Sequence, residues 1–160
     1  MVTINSLRSR AKIISAGSFT IFMKIGKIGI KLFLNQENRD YAFRAQQLAH
    51  SSGIGPRAIK TFEFYDPENS SNWYCYTTEV VKTLPHKTLT NAVIEKLSEL
   101  IDDLALKMSN AGLDPWDLGR TNVGIVKGKL VCIDFGGIGI GEPLPWQGYK
   151  RKMLGLEFVD

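Results

Sequence analysis

Apolar positions recur along this chain with two periods, and the switches between them mark out its elements. From Ala11 to Leu34 apolar and small residues alternate with polar ones around a break at Ile25-Gly26-Lys27, which predicts two or three antiparallel strands. Between Asn38 and Ser51 the period lengthens, so that Tyr41, Ala42, Ala45, Leu48 and Ala49 share one stripe of a helix that Gly53 ends. Ile59–Tyr65 and Trp73–Val81 are aromatic and β-branched, and the polar run 66–72 between them makes a hairpin. A short linker, 82–87, contains Pro85. The strongest helical repeat follows: Val93, Leu97, Leu100, Ile101, Leu104 and Met108 lie within Thr90–Asn110, and Gly112 supplies the stop.

The last pattern carries chemistry. Val123–Val126 and Lys129–Ile133 are short apolar runs on either side of Lys127-Gly128, a two-residue hairpin signal. Folding about that turn sets Val126 opposite Lys129 and, further back, Asn122 opposite Ile133. Asn122 and Asp134 then finish side by side at the open end. A carboxylate and an amide oxygen held together can share a hard cation such as Mg²⁺, with nucleotide phosphates filling the remaining positions. Asp117, five residues before Asn122 on the preceding loop, is placed to accept a proton from an attacking hydroxyl. The plainer alternative is a surface hairpin with a capping Asn and a terminal Asp.

Composition narrows the class without choosing a function. A chain of 160 residues, 44 % hydrophobic and 10 % aromatic, fits one globular domain, built from two small lobes. No apolar run reaches membrane-spanning length, and the N-terminus lacks the apolar core of a secretory signal. Cys75 and Cys132 lie in strand-like segments without metal-ligand spacing, which predicts buried free thiols in a reducing cytoplasm. The charge of +4 suits ATP, an acidic protein or nucleic acid alike; a nucleic-acid role rests on charge alone and ranks last. Strands, helix, strands, linker, helix, loop and hairpin in that order predict an α+β architecture, with 82–87 as a hinge between 1–81 and 88–160.

These motifs, in this order from Ser15 to Gly136, resemble the protein-kinase-like superfamily. Asp117 and Asn122, followed by Asp134-Phe135-Gly136, resemble its catalytic loop and DFG triplet. The segment 15–22 resembles the glycine-rich loop, keeping Gly17 and Phe19 but carrying Ser15 and Thr20 where glycines are usual. Ile28-Gly29-Ile30-Lys31 resembles the V-A-I-K strand. Tyr76–Val81 resembles the strand entering the hinge. The resemblance implies a bilobal kinase-like fold with an antiparallel N-lobe sheet, one helix and a much reduced helical C-lobe. Only 24 residues follow Gly136 and no A-P-E is present, as in small effector-type or phage-borne kinases. It also implies ATP and Mg²⁺ as cofactors. Lys31 would hold phosphates, with Gly17 and Phe19 covering them, and Glu79 and Val81 would contact adenine. Asn122 and Asp134 would be the metal ligands, and Asp117 the catalytic acid–base group.

Three departures from the family pattern shape the expectation. The helix after Lys31 has no Glu; Arg44, Gln46 and Gln47 occupy the window where the lysine's partner usually sits, and Glu37 precedes it. Lys31 is then held by hydrogen bonds, by Glu37 or by a partner protein. Pro115-Trp116 stands where His-Arg usually precedes the catalytic Asp, and Asp114 is a rival acid with poorer spacing to Asn122. Gly119 replaces the usual lysine, which leaves Arg120 to supply positive charge near the transferring group. Two functions remain open: an ATP-dependent phosphotransferase acting on a protein or small molecule, aided by an activating partner, and a pseudokinase that binds proteins.

Overall fold

The computed structural model describes residues 2–16, 20–84, 90–113, 115, 118–119 and 122–135, with the backbone alone for 13–16. Eight strands and three helices are assigned among them. Five strands form one fully antiparallel sheet: β1 (Ile13–Ala16), β2 (Ile21–Ile25), β3 (Ile28–Phe33), β4 (Ala58–Asp66) and β5 (Ser71–Glu79), in the order β1-β2-β3-β5-β4. A second antiparallel sheet joins β6 (Lys82–Thr83), β7 (Val123–Val126) and β8 (Lys129–Cys132). The architecture is α+β.

Alternation along β3 and β5 gives the first sheet two different faces. Met23, Leu32, Trp73 and Cys75 point to one side, where Ile4 and Leu7 of the short helix α1 (Ile4–Arg10) cover them. Phe33 and Tyr76 point to the other, against Ala42, Ala45 and Ala49 of helix α2 (Gln36–Ser51). That second cluster continues through Leu104 and Met108 of helix α3 (Asn91–Asn110) to Val123, Cys132 and Phe135, so one core joins both sheets. Each fully buried large apolar side chain contributes about 1.5–3 kcal/mol. A backbone bond from Cys132 N–H to the Ile54 carbonyl, 2.9 Å, ties β8 to the loop after α2.

Sequence patterning does not anticipate two elements. Helix α1 is seven residues long with only two buried positions, too short for a periodic signal; Thr3 caps it by a reciprocal bond with Ser6, where the more readable signature would carry Glu or Gln. Strand β6 occupies the first two residues of the expected linker, because Lys82 and Thr83 pair with Ile125 and Gly124. Residues 85–87 of that linker, with Pro85, lie outside the described residues. Helix α2 starts two residues before the expected Asn38, since Asn35 caps it by accepting from Asn38 N–H. Helix α3 runs to the expected Asn110 and starts one residue after the expected Thr90, which caps it by accepting from Val93 N–H.

Candidate functional site

The β7–β8 hairpin folds in the register its sequence implies. Val126 pairs with Lys129 and Val123 with Cys132. Lys127 and Gly128 both have positive φ, 50° and 77°, the left-handed pair that matches the twist of a two-residue turn. The pairing extends one step further, with Ile133 N–H donating to the Asn122 carbonyl at 3.0 Å. Asn122 and Asp134 are therefore neighbours at the open end of the hairpin. Among the described residues no group of three or more His, Cys, Asp or Glu could hold a metal ion. Among the described residues, Asn122 and Asp134 bring one amide and one carboxylate to this end.

Lys31 reaches this end of the hairpin from the first sheet. It sits on β3 directly opposite Tyr76 of β5 and is 8 % exposed. Its Nζ donates to the Ile133 carbonyl at 2.6 Å, across 102 residues of sequence, and to Gln46 Oε1 at 3.1 Å. The ammonium also lies over the rings of Tyr76 and Phe135, 5.6 and 5.3 Å from their centroids, where the ring faces attract a cation. Burial lowers the lysine pKa, while the nearby charges of Asp134 and Cys132 act to raise it. Tyr76 is pushed well above the ordinary phenol range, by burial first and then by Asp134 and Cys132, so it stays a neutral donor.

Gln46 completes the group. Of the three window residues only Gln46 faces inward; Arg44 and Gln47 are exposed, as is Glu37 in the first turn of α2. Its Oε1 accepts from Lys31 and, at 2.8 Å, from the Tyr76 hydroxyl. Its Nε2 donates to Thr78 Oγ1 at 2.6 Å and to the Pro56 carbonyl at 3.1 Å. Hydrogen bonding, one of the ways expected to hold Lys31, is observed.

The remaining positions divide in two. Glu79 ends β5, exposed, with its backbone N–H and a side-chain oxygen engaged by Arg57. Val81 packs on β7 so closely that a Cβ on Gly124 would lie 2.6 Å from Val81 Cγ1. A matching close approach occurs at Gly29, where a Cβ would meet the Phe22 ring at 2.6 Å, so the glycine lets that ring lie on the strand beside Lys31. Gly17, Phe19, Asp117 and Arg120, together with Asp114, Trp116 and the residues from Gly136 onward, lie outside the described residues.

Tyr76, Phe135 and Thr78 around Lys31 are additions to the sequence reading, and Gln46 acquires a defined role. A signal for Gln46 exists in the chain: it falls between Ala45 and Ala49 on the apolar stripe of α2, where a polar residue needs a buried partner. Tyr76 carries no such mark, because an aromatic in a core strand looks the same with or without a bonded hydroxyl.

Neither a family model nor a curated protein sequence matches the chain. Solved structures do match it. The fold resembles that of WbdD at a TM-score of 0.52 and 13 % identity, over 93 % of this chain and 37 % of that one. It also resembles WaaP in complex with acyl carrier protein, at a TM-score of 0.52 and 15 % identity, over 96 % of this chain and 72 % of that one. The fold is protein-kinase-like. The chain thus spans little more than a third of the first of these relatives and under three quarters of the second. No helix among the described residues is long and apolar enough to cross a membrane.

Proposed function

We propose that the chain is a Mg-ATP-dependent phosphotransferase of the protein-kinase-like type. The observation that carries this reading is the bond from Lys31 Nζ to the Ile133 carbonyl, which brings a buried ammonium next to the residue before Asp134. Two of the three ammonium donors are engaged by the described residues, Gln46 and Ile133. The third is the natural contact for a phosphate oxygen. Asn122 and Asp134 fit Mg²⁺, an ion that accepts few protein oxygens and fills its shell with water and phosphate. Bound there, the ion would neutralise charge on the transferring phosphoryl group.

In this reading, 1–81 and 88–160 are two lobes about a hinge at 82–87, with Gly17 and Phe19 over the phosphates and Glu79 and Val81 at the base. Asp117 orients the acceptor hydroxyl and Arg120 stabilises the transferred charge, so that catalysis is mainly positioning and electrostatics. Buried free thiols at Cys75 and Cys132 suit a cytoplasmic setting. The acceptor is a protein or a small molecule. One similar structure is a complex with acyl carrier protein, which makes such a carrier one of the partners to test.

The experiment is thermal unfolding with and without Mg-ATP, with Asp134→Ala as control. Ligand at a hundredfold above its Kd adds about 2.7 kcal/mol, or roughly 5–10 °C for a domain of this size. A shift that needs Mg²⁺ and vanishes in the variant supports the site. Asp117→Ala should then abolish transfer while nucleotide binding survives. An amide, Gln46, in place of a Glu on α2 beside Lys31 favours a second reading, a pseudokinase acting as a protein-binding module, and no shift at millimolar ATP would put that reading first.

A further inference from the structure

The Gln46 side chain is saturated, and its neighbours fix which way round it lies. Pro56 contributes only a carbonyl oxygen, which can accept but not donate, so the atom 3.1 Å from it must be the amide nitrogen. Thr78 agrees with this. Its hydroxyl lies 3.2 Å from the Arg57 carbonyl and 3.1 Å from that of Glu79, both acceptors, which directs its proton away from Gln46 and leaves its oxygen to accept. The amide oxygen is thereby turned to Lys31 and to the Tyr76 hydroxyl, two donors for two lone pairs. All four hydrogen-bonding positions of the amide are used, in a residue with no measurable exposure.

We propose that Gln46 is the positioning residue of the nucleotide site and that the site requires an amide there rather than a carboxylate. The inference rests on the nucleotide reading of Lys31. A carboxylate at this position would turn an unprotonated oxygen toward the Pro56 carbonyl, two acceptors with no proton between them. The neutral amide orients the ammonium through its oxygen while its nitrogen meets the Thr78 hydroxyl and the Pro56 carbonyl.

The test uses the full chain and two measurements. Calorimetric titration with Mg-ATP compares the native protein with Gln46→Leu and Gln46→Glu. Each substitution should weaken binding roughly tenfold or more, the worth of a hydrogen bond to a charged group. Binding by Gln46→Glu as tight as the native protein's, or tighter, overturns the proposal. The second measurement needs no nucleotide: ¹H–¹⁵N spectra of the lysine ammonium groups, with Lys31 assigned by the signal missing in Lys31→Arg. The Lys31 signal should be protected from exchange in the native protein and lost in Gln46→Leu, and its persistence there unchanged overturns the proposal. If the native protein binds no nucleotide, the nucleotide reading falls, and the lysine spectrum alone decides whether Gln46 positions Lys31. Should Gln46→Glu fail to fold by circular dichroism, Gln46→Leu carries the decision in both measurements.

Discussion

Helices α2 and α3 invert what their sequences promise. Helix α3 has the cleaner apolar repeat and is the longer of the two, yet only Leu104 and Met108 are buried along it, while Val93 and Leu100 are 48 % and 42 % exposed. Helix α2 has a mixed face and buries seven residues, among them Asn38, Arg39 and Gln46. Burial follows position rather than hydrophobicity: α2 lies across a five-stranded sheet, whereas α3 meets the main core chiefly through its C-terminal half. Two of these polar residues, Arg39 and Gln46, are satisfied there, whereas Asn38 Oδ1 has no hydrogen-bond partner among the described residues. Arg39 donates to the Phe62 and Cys75 carbonyls, both at 3.1 Å, and lies over the Tyr74 ring, which links the helix to β4 and β5. Gln46 does the same for Lys31.

The contrast can be broken most directly within α3 itself. Leu104→Ala should cost about 3 kcal/mol, while Leu100→Ala, four residues earlier, should stay within about 0.5 kcal/mol. Chemical denaturation of both variants decides this, and equal losses would mean that the outer half of α3 is covered in solution. The next largest effect belongs to α2. Arg39→Met keeps much of the packing but removes the charged hydrogen bonds, so a loss of about 2 kcal/mol is expected. A neutral or stabilising result would show that the buried cation is tolerated rather than used.

The smallest effect lies at the far side of the sheet, where Asp66 accepts from Asn69 Nδ2 at 2.7 Å, from Glu68 N–H at 3.1 Å and from Ile4 N–H at 3.3 Å. The Asn69 amide, ahead of the backbone bonds, holds this carboxyl below its ordinary range. Its stabilising contribution is therefore present above the ordinary carboxylate pKa and is lost as pH falls through the folded-state value. Asp66→Asn should lower stability modestly at neutral pH and leave the acid end nearly unchanged, flattening the profile between them, as thermal melts across pH would record.

Much of the fold was legible because its strands and helices follow period and punctuation. The β7–β8 register followed from two residues, Lys127 and Gly128, and with it the pairing of Asn122 and Ile133. The placement of Lys31 was legible only as order along the chain. Its contact with Ile133 is a tertiary fact, made by two sheets meeting, which no local pattern encodes. Gln46 shows the same limit from the other side: the window was visible, but the choice among Arg44, Gln46 and Gln47 depends on which face of α2 meets β3 and β5. Helix α1 and strand β6 were too short to register.

The two cysteines lie in different cores. Cys75 sits beneath α1 with Met23, Leu32 and Trp73, and Cys132 belongs to the cluster with Phe135 and Met108. Burial pushes the Cys75 thiol up to about 12, so the reactive thiolate is scarce while that core stays closed. The native sequence therefore carries two internal clocks. Timed labelling with a thiol reagent, read by mass at each site, would report when each core opens, and a difference between the two rates would show which half of the molecule gives way first.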